Sequence, residues 1–244
     1  MKITSPQDLF PESQSPLTSP SREEAIHHFQ NFNPNRYVQT RNFLNGQISR
    51  MSVHIKHGVI QNRELLNIIR DKFSFMESEK FIQELAWRDF WRSYAYHHPD
   101  QLWTDVEEYK TGFSPHDYLD DLPEDIAHGK TPTQAINYFI QELTQTGYLH
   151  NHARMYVASY VIHFRRVKWQ AGAKFFLTHL LDGDIASNNF SWQWIASTFT
   201  SKPYIFNLEN VRKYCHQTHS LEPEQNQEID GSYEEISARL FPHL

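Results

Sequence analysis

Cysteine is nearly absent from this sequence, which carries a single such residue, Cys215. One thiol cannot form a disulfide within the chain, nor supply the two or four thiolates of a zinc or iron–sulfur site. Glycine is also scarce, with eight residues in a chain of 244. So few glycines argue against an all-β chain with many tight turns and against a glycine-dependent phosphate loop.

Long hydrophobic runs are missing as well. No stretch approaches the ~20 apolar residues that a membrane-spanning helix requires. The first residues contain no apolar segment typical of a signal peptide, so we expect a cytoplasmic protein with no membrane partner. Histidine is frequent, with 15 residues, but no spacing predicts the three or four convergent ligands of a metal site, and we expect none.

The excess of acidic residues is concentrated in two segments. The net charge of −6 argues at first against a nucleic-acid partner. Residues 104–130 contain eight acids against two lysines, and residues 216–238 contain six acids without Lys or Arg. The rest of the chain is therefore mildly basic, which leaves DNA binding open. We expect both acidic segments to be solvated loops.

Hydrophobic periodicity predicts helices along most of the chain. No segment alternates with the period of two that is typical of a strand, so we expect an all-α fold. The predicted helices cover residues 59–73, 78–96, a segment from Pro132 to Gly147, 150–166, 172–181 and 185–198.

Composition also divides the chain. Residues 1–20 contain four prolines and several serines, which is typical of a flexible leader. We expect one helical domain over residues 21–215. Residues 216–244 are predicted to form an acidic tail with a short terminal helix, which Ser232 and Glu235 would cap.

A second, polar stripe runs beside the apolar face of the helix predicted at 78–96. Glu84, Trp87, Arg88 and Trp91 recur at i, i+3, i+4 and i+7 and therefore share one side. One interpretation is a Glu84–Arg88 surface ion pair with tryptophans in the core. The other is a face that contacts a ligand.

Two later segments repeat this combination of charged and aromatic residues. Asn151 and Arg154 share a helical face, and Asp182 and Asp184 are followed by an aromatic helix. Asp184 could simply cap that helix. A set of Arg, Asp and Asn ringed by Trp also suits a planar cofactor rich in heteroatoms.

These segments resemble the FAD-binding catalytic domain of the photolyase/cryptochrome family. The similarity extends over about residues 35–200. The motifs are Tyr37-x-x-x-Arg41, Ser49-Arg50-Met51-Ser52, Glu84-x-x-Trp87-Arg88-Asp89-Phe90, Gly147-Tyr-Leu-His-Asn-His-Ala-Arg-Met155, Trp169-Gln-Ala-Gly172, Leu181-Asp-Gly-Asp184 and Asn188-Asn-Phe-Ser-Trp-Gln-Trp194.

The resemblance implies that residues 21–215 bind FAD. It places hydroxyl groups at the diphosphate, an Arg–Asp pair beside the flavin ring, and Asn188 at the flavin N5. The cofactor-binding residues it implies are Tyr37, Ser49, Ser52, Arg88, Asn151, Arg154, Asp182, Asp184 and Asn188.

The resemblance further implies an enzyme that repairs DNA. Reduced FAD would transfer an electron in light to a pyrimidine dimer, with single-stranded DNA favoured as substrate. The implied pocket residues are Glu84, Trp87, Asn151, Met155 and Trp194. Trp192, Trp169 and Tyr109 match a chain of aromatic electron carriers, with Tyr109 at its surface end and Trp103 close by in sequence.

Several departures from the family pattern keep an alternative open. We expect the chain to lack the N-terminal antenna domain of the family, Ile48 stands where the family has Thr, and Tyr148 replaces a Trp. His152 replaces an Arg that usually helps to hold the DNA lesion. The alternative is a flavin-based blue-light or redox sensor, or an accessory subunit, that acts through a partner protein without repairing DNA. A scaffold that binds no flavin is a third and less favoured interpretation, because the flavin-binding residues of the family pattern are present here as Arg154, Asp182, Asp184 and Asn188.

Overall fold

A computed structural model describes residues 21–215 and 221–244. The leader predicted at residues 1–20, and the first residues of the predicted tail, lie outside this range. In the range described, the chain forms helices and no strand, and Leu119 and Val167 make a parallel backbone bridge. The predicted all-α fold is confirmed.

The helices are numbered here in chain order. They are α1 Arg22–Gln30, α2 Pro34–Thr40, α3 Ser52–Lys56, α4 Asn62–Lys72, α5 Phe75–His97, α6 Glu124–Ala127, α7 Gln134–Thr146, α8 Asn151–Ser159, α9 Trp169–His179, α10 Ile185–Ala196, α11 Leu208–Tyr214 and α12 Tyr233–Leu240. None of those described combines the length and apolar character needed to cross a membrane.

Helices α1 to α5 enclose a first apolar core that includes Phe29, Met51, Leu65 and Phe81. Helix α5 begins at Phe75, three residues before the predicted start. The reason is a capping box, in which Ser74 accepts from the Glu77 backbone N–H and the Glu77 carboxylate accepts from that of Ser74. This long helix brings its polar stripe alongside the second half of the molecule.

Helices α7 to α11 surround the main core, which is centred on aromatic side chains such as Phe139, Tyr156 and Trp169. The helix predicted at 150–166 is interrupted, because α8 ends at Ser159 and a π-helical turn follows over Tyr160–Phe164. Helix α10 ends two residues early, at Ala196, because Ser197 takes a left-handed conformation with φ of 71°. Hydrophobic periodicity predicts neither the π-helical turn nor the exact end of α10, because one turn of altered backbone hardly changes which side chains face the core.

The two acidic segments are less exposed than expected. Tyr109, Tyr118 and Ile126 of the first segment and Leu221 and Ile229 of the second are buried in the main core. Their acidic neighbours point outward or bind partners, so the expectation of wholly solvated loops is wrong for these residues. The capping box of Ser232 and Glu235 begins helix α12, which buries Ile236 and Leu240.

Candidate functional site

The segment from Ser49 to Ser52 makes a tight turn between helices α2 and α3. Arg50 has a positive φ of 53°, and Met51 follows in the right-handed region. Turns of this kind point successive backbone N–H groups into one concavity that suits an anion. The Met51 N–H lies 3.4 Å from the Ser49 hydroxyl, to which it donates. The turn is chemically suited to a diphosphate.

Ser52 and Arg154 converge on Asp182 from two different helices. The Ser52 hydroxyl donates to the Asp182 carboxylate, and the Arg154 Nη2 donates to it at 2.9 Å. Arg154 is itself fixed by a bond from its Nε to the Leu149 carbonyl at 2.7 Å. Burial would raise the pKa of Asp182, but the Arg154 charge and these hydrogen bonds outweigh it and lower that pKa.

Asp184 holds a second cluster of charges at the start of helix α10. Its carboxylate accepts from the Ser187 N–H at 3.1 Å and from Nε and Nη2 of Arg92 at 3.1 and 2.8 Å. The Arg88 guanidinium lies 3.6 Å away in an ion pair. Arg92 was not predicted, although its spacing of four residues from Arg88 places both on one face of α5.

Several buried polar atoms near these carboxylates have no hydrogen-bond partner among the described residues. They are Nε and Nη2 of Arg88, Oδ1 of Asp182 and Oγ of Ser187. Buried polar groups are nearly always hydrogen-bonded, and leaving one unpaired costs about 1–3 kcal/mol. Two donor nitrogens and two oxygen atoms are therefore available here to bond a polar ligand. A flavin dinucleotide such as FAD carries both donors and acceptors and fits this set.

The side-chain amide of Asn188 has a defined orientation. Its Nδ2 donates to the Ala173 carbonyl at 3.1 Å and to Oδ1 of Asn189 at 2.9 Å. Asn189 is fully buried and donates to the Leu102 carbonyl at 2.6 Å. With both N–H groups engaged, Asn188 can present its carbonyl oxygen to a ligand. Sequence reasoning missed the orienting role of Asn189.

Tyr37 and Glu84 are connected through Arg41. The Tyr37 hydroxyl hydrogen-bonds to Arg41, and Arg41 Nη1 donates to the Glu84 carboxylate at 2.8 Å. Lys80 Nζ lies 2.9 Å from the same carboxylate. Glu84 pairs with these two cations and Arg88 with Asp184, so the Glu84–Arg88 pair considered above is not the pairing found.

Two of the five predicted pocket residues are exposed tryptophans, Trp87 at 49% and Trp194 at 40%. Trp87 stacks on Trp91 with ring centroids 5.5 Å apart, and Trp194 lies 6.0 Å from the ring of Tyr204. Both rings therefore present a stacking surface to solvent.

Asn151 and Met155 contact each other on helix α8, with 4.0 Å between Nδ2 and the sulfur. Among the described residues, no hydrogen bond or ring pair joins Glu84 or Trp87 to these two or to Trp194. The five predicted pocket residues therefore lie on three helices, α5, α8 and α10, and no hydrogen bond or ring pair among the described residues joins them across those helices.

Trp192 and Trp169 are both buried, on helices α10 and α9. Trp192 packs on Gly172, where any Cβ would lie 2.2 Å from its ring. Trp169 donates from Nε1 to Asp105 at 2.6 Å and stacks on Trp103. Tyr109 was expected at the surface but is only 9% exposed. It turns inward and stacks on Tyr118, because this loop fills the core with its aromatic residues.

His152, which stands where the family pattern has an Arg, is buried within the domain. Its Nδ1 is 2.7 Å from the Asn42 carbonyl, and its ring stacks on Tyr156. Burial lowers the pKa of His152, so the neutral imidazole predominates at pH 7. Tyr148 packs beneath the Arg154 guanidinium, 5.9 Å from the ring centroid.

Comparison with known proteins gives a consistent picture. Residues 81–227 match the family model of the FAD binding domain of DNA photolyase. A deoxyribodipyrimidine photo-lyase of Streptomyces griseus is 36% identical over 155 residues, which cover 62% of this chain and 32% of that protein. The enzyme of that name from Escherichia coli K12 is 27% identical over 218 residues, covering 84% of this chain and 44% of its own. This chain thus spans a third to a half of the length of these relatives.

Solved structures agree with the sequence matches. An archaeal photolyase from Sulfolobus tokodaii with two FAD molecules superposes with a TM-score of 0.67 at 26% identity, covering 96% of this chain and 52% of that one. A cryptochrome of Synechocystis superposes with a TM-score of 0.71 at 20% identity, covering 91% and 50%. The second likeness concerns the fold alone.

Proposed function

This chain belongs to the photolyase/cryptochrome family as a helical FAD-binding domain, and from that premise we propose that it repairs pyrimidine dimers in DNA by light-driven electron transfer. Bound FAD in its reduced form supplies, on absorbing light, the electron that opens the dimer. The residues of this chain hold the cofactor, receive the extruded lesion and exclude water from both.

The observation that carries the proposal is the set of unpaired polar atoms around Asp182 and Asp184. Asp182 is buried, Arg88 is partly buried, and both are already charge-paired, yet the buried atoms Nε and Nη2 of Arg88 and Oδ1 of Asp182 lack hydrogen bonds among the described residues. Buried polar atoms without hydrogen-bond partners lower the stability of the folded domain, so packing alone gives no reason for them. A bound cofactor that offers both donors and acceptors relieves it.

We assign the cofactor contacts on the same basis. Tyr37 and Ser49 hold the diphosphate, Ser52 lies beside it with its hydroxyl donated to Asp182, and Arg88, Arg154, Asp182 and Asp184 surround the rings. Asn188 presents its oxygen to the flavin N5, where a protonated nitrogen can donate to it. Asn151 completes the set from the start of helix α8.

We place the lesion at the exposed aromatic side of the domain. Trp87 and Trp194 offer stacking faces, each worth ~1–3 kcal/mol per base. Asn151 and Met155 line the pocket from α8. The Glu84 carboxylate at this side is engaged by Arg41 and Lys80. The two cations add positive charge that suits a DNA backbone.

The first experiment tests the cofactor. Purified protein is expected to be yellow and to release FAD, not FMN, when it is denatured and the flavin is chromatographed. Arg88→Ala and Asp182→Asn should lose the flavin, whereas Lys72→Ala, at an exposed position on α4, should keep it. A colourless protein that cannot be reconstituted with FAD would refute the proposal at its first step.

The second experiment tests repair. Protein loaded with reduced FAD and exposed to blue light should restore intact thymines in an oligonucleotide that contains a dimer. Single strands should be repaired fastest, because flipping the lesion costs least there. Trp194→Ala should slow repair while FAD remains bound.

Absence of repair by the FAD-loaded protein would favour the sensor or accessory function. The buried position of His152 is the observation on that side, because a residue inside the core cannot hold a lesion. In that outcome, a partner protein retained by the illuminated but not by the dark protein would support the alternative.

A further inference from the structure

We propose that Trp103 is the outermost electron donor of the aromatic chain and passes an electron to Trp169, in place of Tyr109. This inference rests on the light-driven electron transfer proposed above. After the flavin has taken an electron, the oxidised tryptophans must be reduced again by a donor in solution. The family resemblance implies that this electron enters at Tyr109, whereas the structure favours Trp103.

The rings of Trp103 and Trp169 are stacked. Their centroids are 6.3 Å apart and their planes differ by 6°, so the two rings lie parallel and close to each other. Gln170 holds this contact in place by donating from its Nε2 to the Trp103 carbonyl at 3.3 Å. Trp169 is fully buried, whereas Trp103 is partly exposed. An electron from a soluble donor therefore has a path inward through Trp103.

The inner end of the path continues along one face of helix α9. Trp169, Gly172 and Phe176 are spaced i, i+3 and i+7, so they share that face. The Trp192 ring lies against Gly172 and meets Phe176 edge-on at 4.9 Å. Trp192 therefore contacts the same face of helix α9 that carries Trp169, and Trp169 in turn stacks on Trp103 towards the surface.

Tyr109 is poorly suited to the outer position. It is buried and its ring stacks on Tyr118 at 4.6 Å, so a solute has no direct access to it. Oxidation of a phenol at neutral pH also requires that its proton leave. Burial, reinforced by the negative charge of Asp105, raises the pKa of Tyr109 well above its ordinary value. Both facts oppose its oxidation.

Asp105 favours the oxidation of Trp169, which is the first step of the transfer. Its carboxylate accepts from the Trp169 indole N–H at 2.6 Å and so stabilises positive charge on that ring. In the proposed sequence Trp169 loses one electron, through Trp192, to the photoexcited oxidised flavin. Trp103 then gives one electron to Trp169. A soluble thiol gives one electron to Trp103 and its proton to water, and two of the resulting thiyl radicals combine as a disulfide.

The test compares four variants loaded with FAD and illuminated with a soluble thiol. Trp103→Phe should slow the loss of oxidised-flavin absorbance by about tenfold or more, a difference of ~1.4 kcal/mol in barrier. Trp103→Tyr should restore part of the rate, because it keeps an oxidisable ring. Tyr109→Phe and the exposed control Tyr96→Phe should remain within about twofold of the parent. Transient absorption should show an indole radical and not a phenoxyl radical.

A second measurement needs no FAD. A soluble photo-oxidant is applied to the full chain, and the oxidised residue is located by peptide mass spectrometry. Oxidation is expected at Trp103 and not at Tyr109. If the FAD-loaded parent is not photoreduced at all, the proposed function fails, while this measurement still decides which aromatic solutes reach.

Two results would overturn the inference. The first is a Trp103→Phe variant that photoreduces at the parent rate while Tyr109→Phe is slow. The second is oxidation at Tyr109 in place of Trp103.

Discussion

Two carboxylates of this domain each lie between two cations, yet their settings are opposite. Asp184 pairs with Arg88 and Arg92 and its side chain is 9% exposed. Glu84 pairs with Arg41 and Lys80 and its side chain is 32% exposed. The same arrangement of charges is therefore buried in the interior at Asp184 and partly solvated at Glu84. The partly exposed surface that carries Glu84, Trp87 and Trp194 is called the rim here.

The tryptophans follow the same division. Trp169 and Trp192 are buried in the interior, while Trp87 and Trp194 lie half-exposed at the rim. Interior groups have fixed partners and determine stability, because burial makes an unpaired charge or donor costly. Rim groups contribute little to stability and are available to a ligand. Variants at matched positions can separate these two kinds of contribution.

The largest difference is expected for Asp184→Ala. It leaves the buried Arg88 guanidinium without its counter-charge and removes the N-cap of helix α10. We expect a loss of about 3–5 kcal/mol in the free energy of unfolding, measured by urea denaturation. Glu84→Ala, the matched variant at the rim, should cost less than about 1 kcal/mol. Equal losses in the two variants would abolish the distinction.

A third carboxylate, Glu142 on helix α7, is buried, and its cationic neighbours do not cancel the effect of burial on its pKa. Burial raises the pKa of Glu142 to about 7, because it outweighs the attraction of Arg50 and Arg154. Below about pH 4.5 the group is protonated in both the folded and the unfolded chain and has no effect. Between pH 4.5 and 7 the unfolded chain releases the proton first, so the free energy of unfolding falls as the pH rises.

Above pH 7 the full effect of Glu142 on the free energy of unfolding is reached, a loss of roughly 3 kcal/mol. This follows from the rise in pKa from 4.5 to about 7, at about 1.36 kcal/mol for each pKa unit. Glu142→Gln should remove it, so the variant should exceed the parent in stability at pH 8 by more than at pH 4. Urea denaturation at both values measures the difference. Parallel pH profiles for variant and parent would show that Glu142 ionises freely in the folded state.

The sequence predicts the interior better than the rim, for a physical reason. Helix periodicity and the spacing of Asp182, Asp184 and Asn188 reflect short-range geometry, and the structure places those residues around one polar cluster. Arg92 could have been found from its spacing to Arg88. The partners of Glu84 depend on how α2 meets α5, and no local pattern contains that information.

The loop at 104–130 illustrates the same limit. Its acidic composition correctly indicates the outward side chains, but composition does not say which aromatic residues turn inward. Tyr109 and Trp103 are both aromatic and lie six positions apart in sequence. Only the packing of the loop on helix α9 decides that Trp103 meets Trp169 and that Tyr109 meets Tyr118. An alignment-based choice between them is therefore weak.

A smaller effect should separate the two groups of tryptophans. Trp169→Phe removes the indole donor from Asp105 and should cost about 1–3 kcal/mol in unfolding free energy. Trp194→Phe, at the rim, should change it by less than about 0.5 kcal/mol. Thermal unfolding followed by circular dichroism measures both. A Trp194 variant as destabilised as the Trp169 variant would place the exposed ring among the structural residues.

The smallest effect concerns Lys174, at the point where the buried line of tryptophans reaches solvent. Its Nζ lies 5.7 Å from the centroid of the Trp103 ring. This charge attracts the neutral ring but repels the positive charge that remains when Trp103 is oxidised. In a water-like dielectric the repulsion is roughly 1 kcal/mol at this distance. Because Lys174 is exposed, salt should screen most of it.

Lys174→Met keeps the length of the side chain and removes its charge. We expect FAD photoreduction about two- to fivefold faster than in the parent at low salt, and nearly equal rates at high salt. Lys202→Met, at another exposed position, is the matched control and should match the parent at both salt concentrations. A Lys174 variant that photoreduces no faster than the parent at low salt would mean that the rate does not depend on charge at Trp103. The electron would then enter the buried tryptophans at another point, and the exposed end of the line would lie elsewhere on the surface.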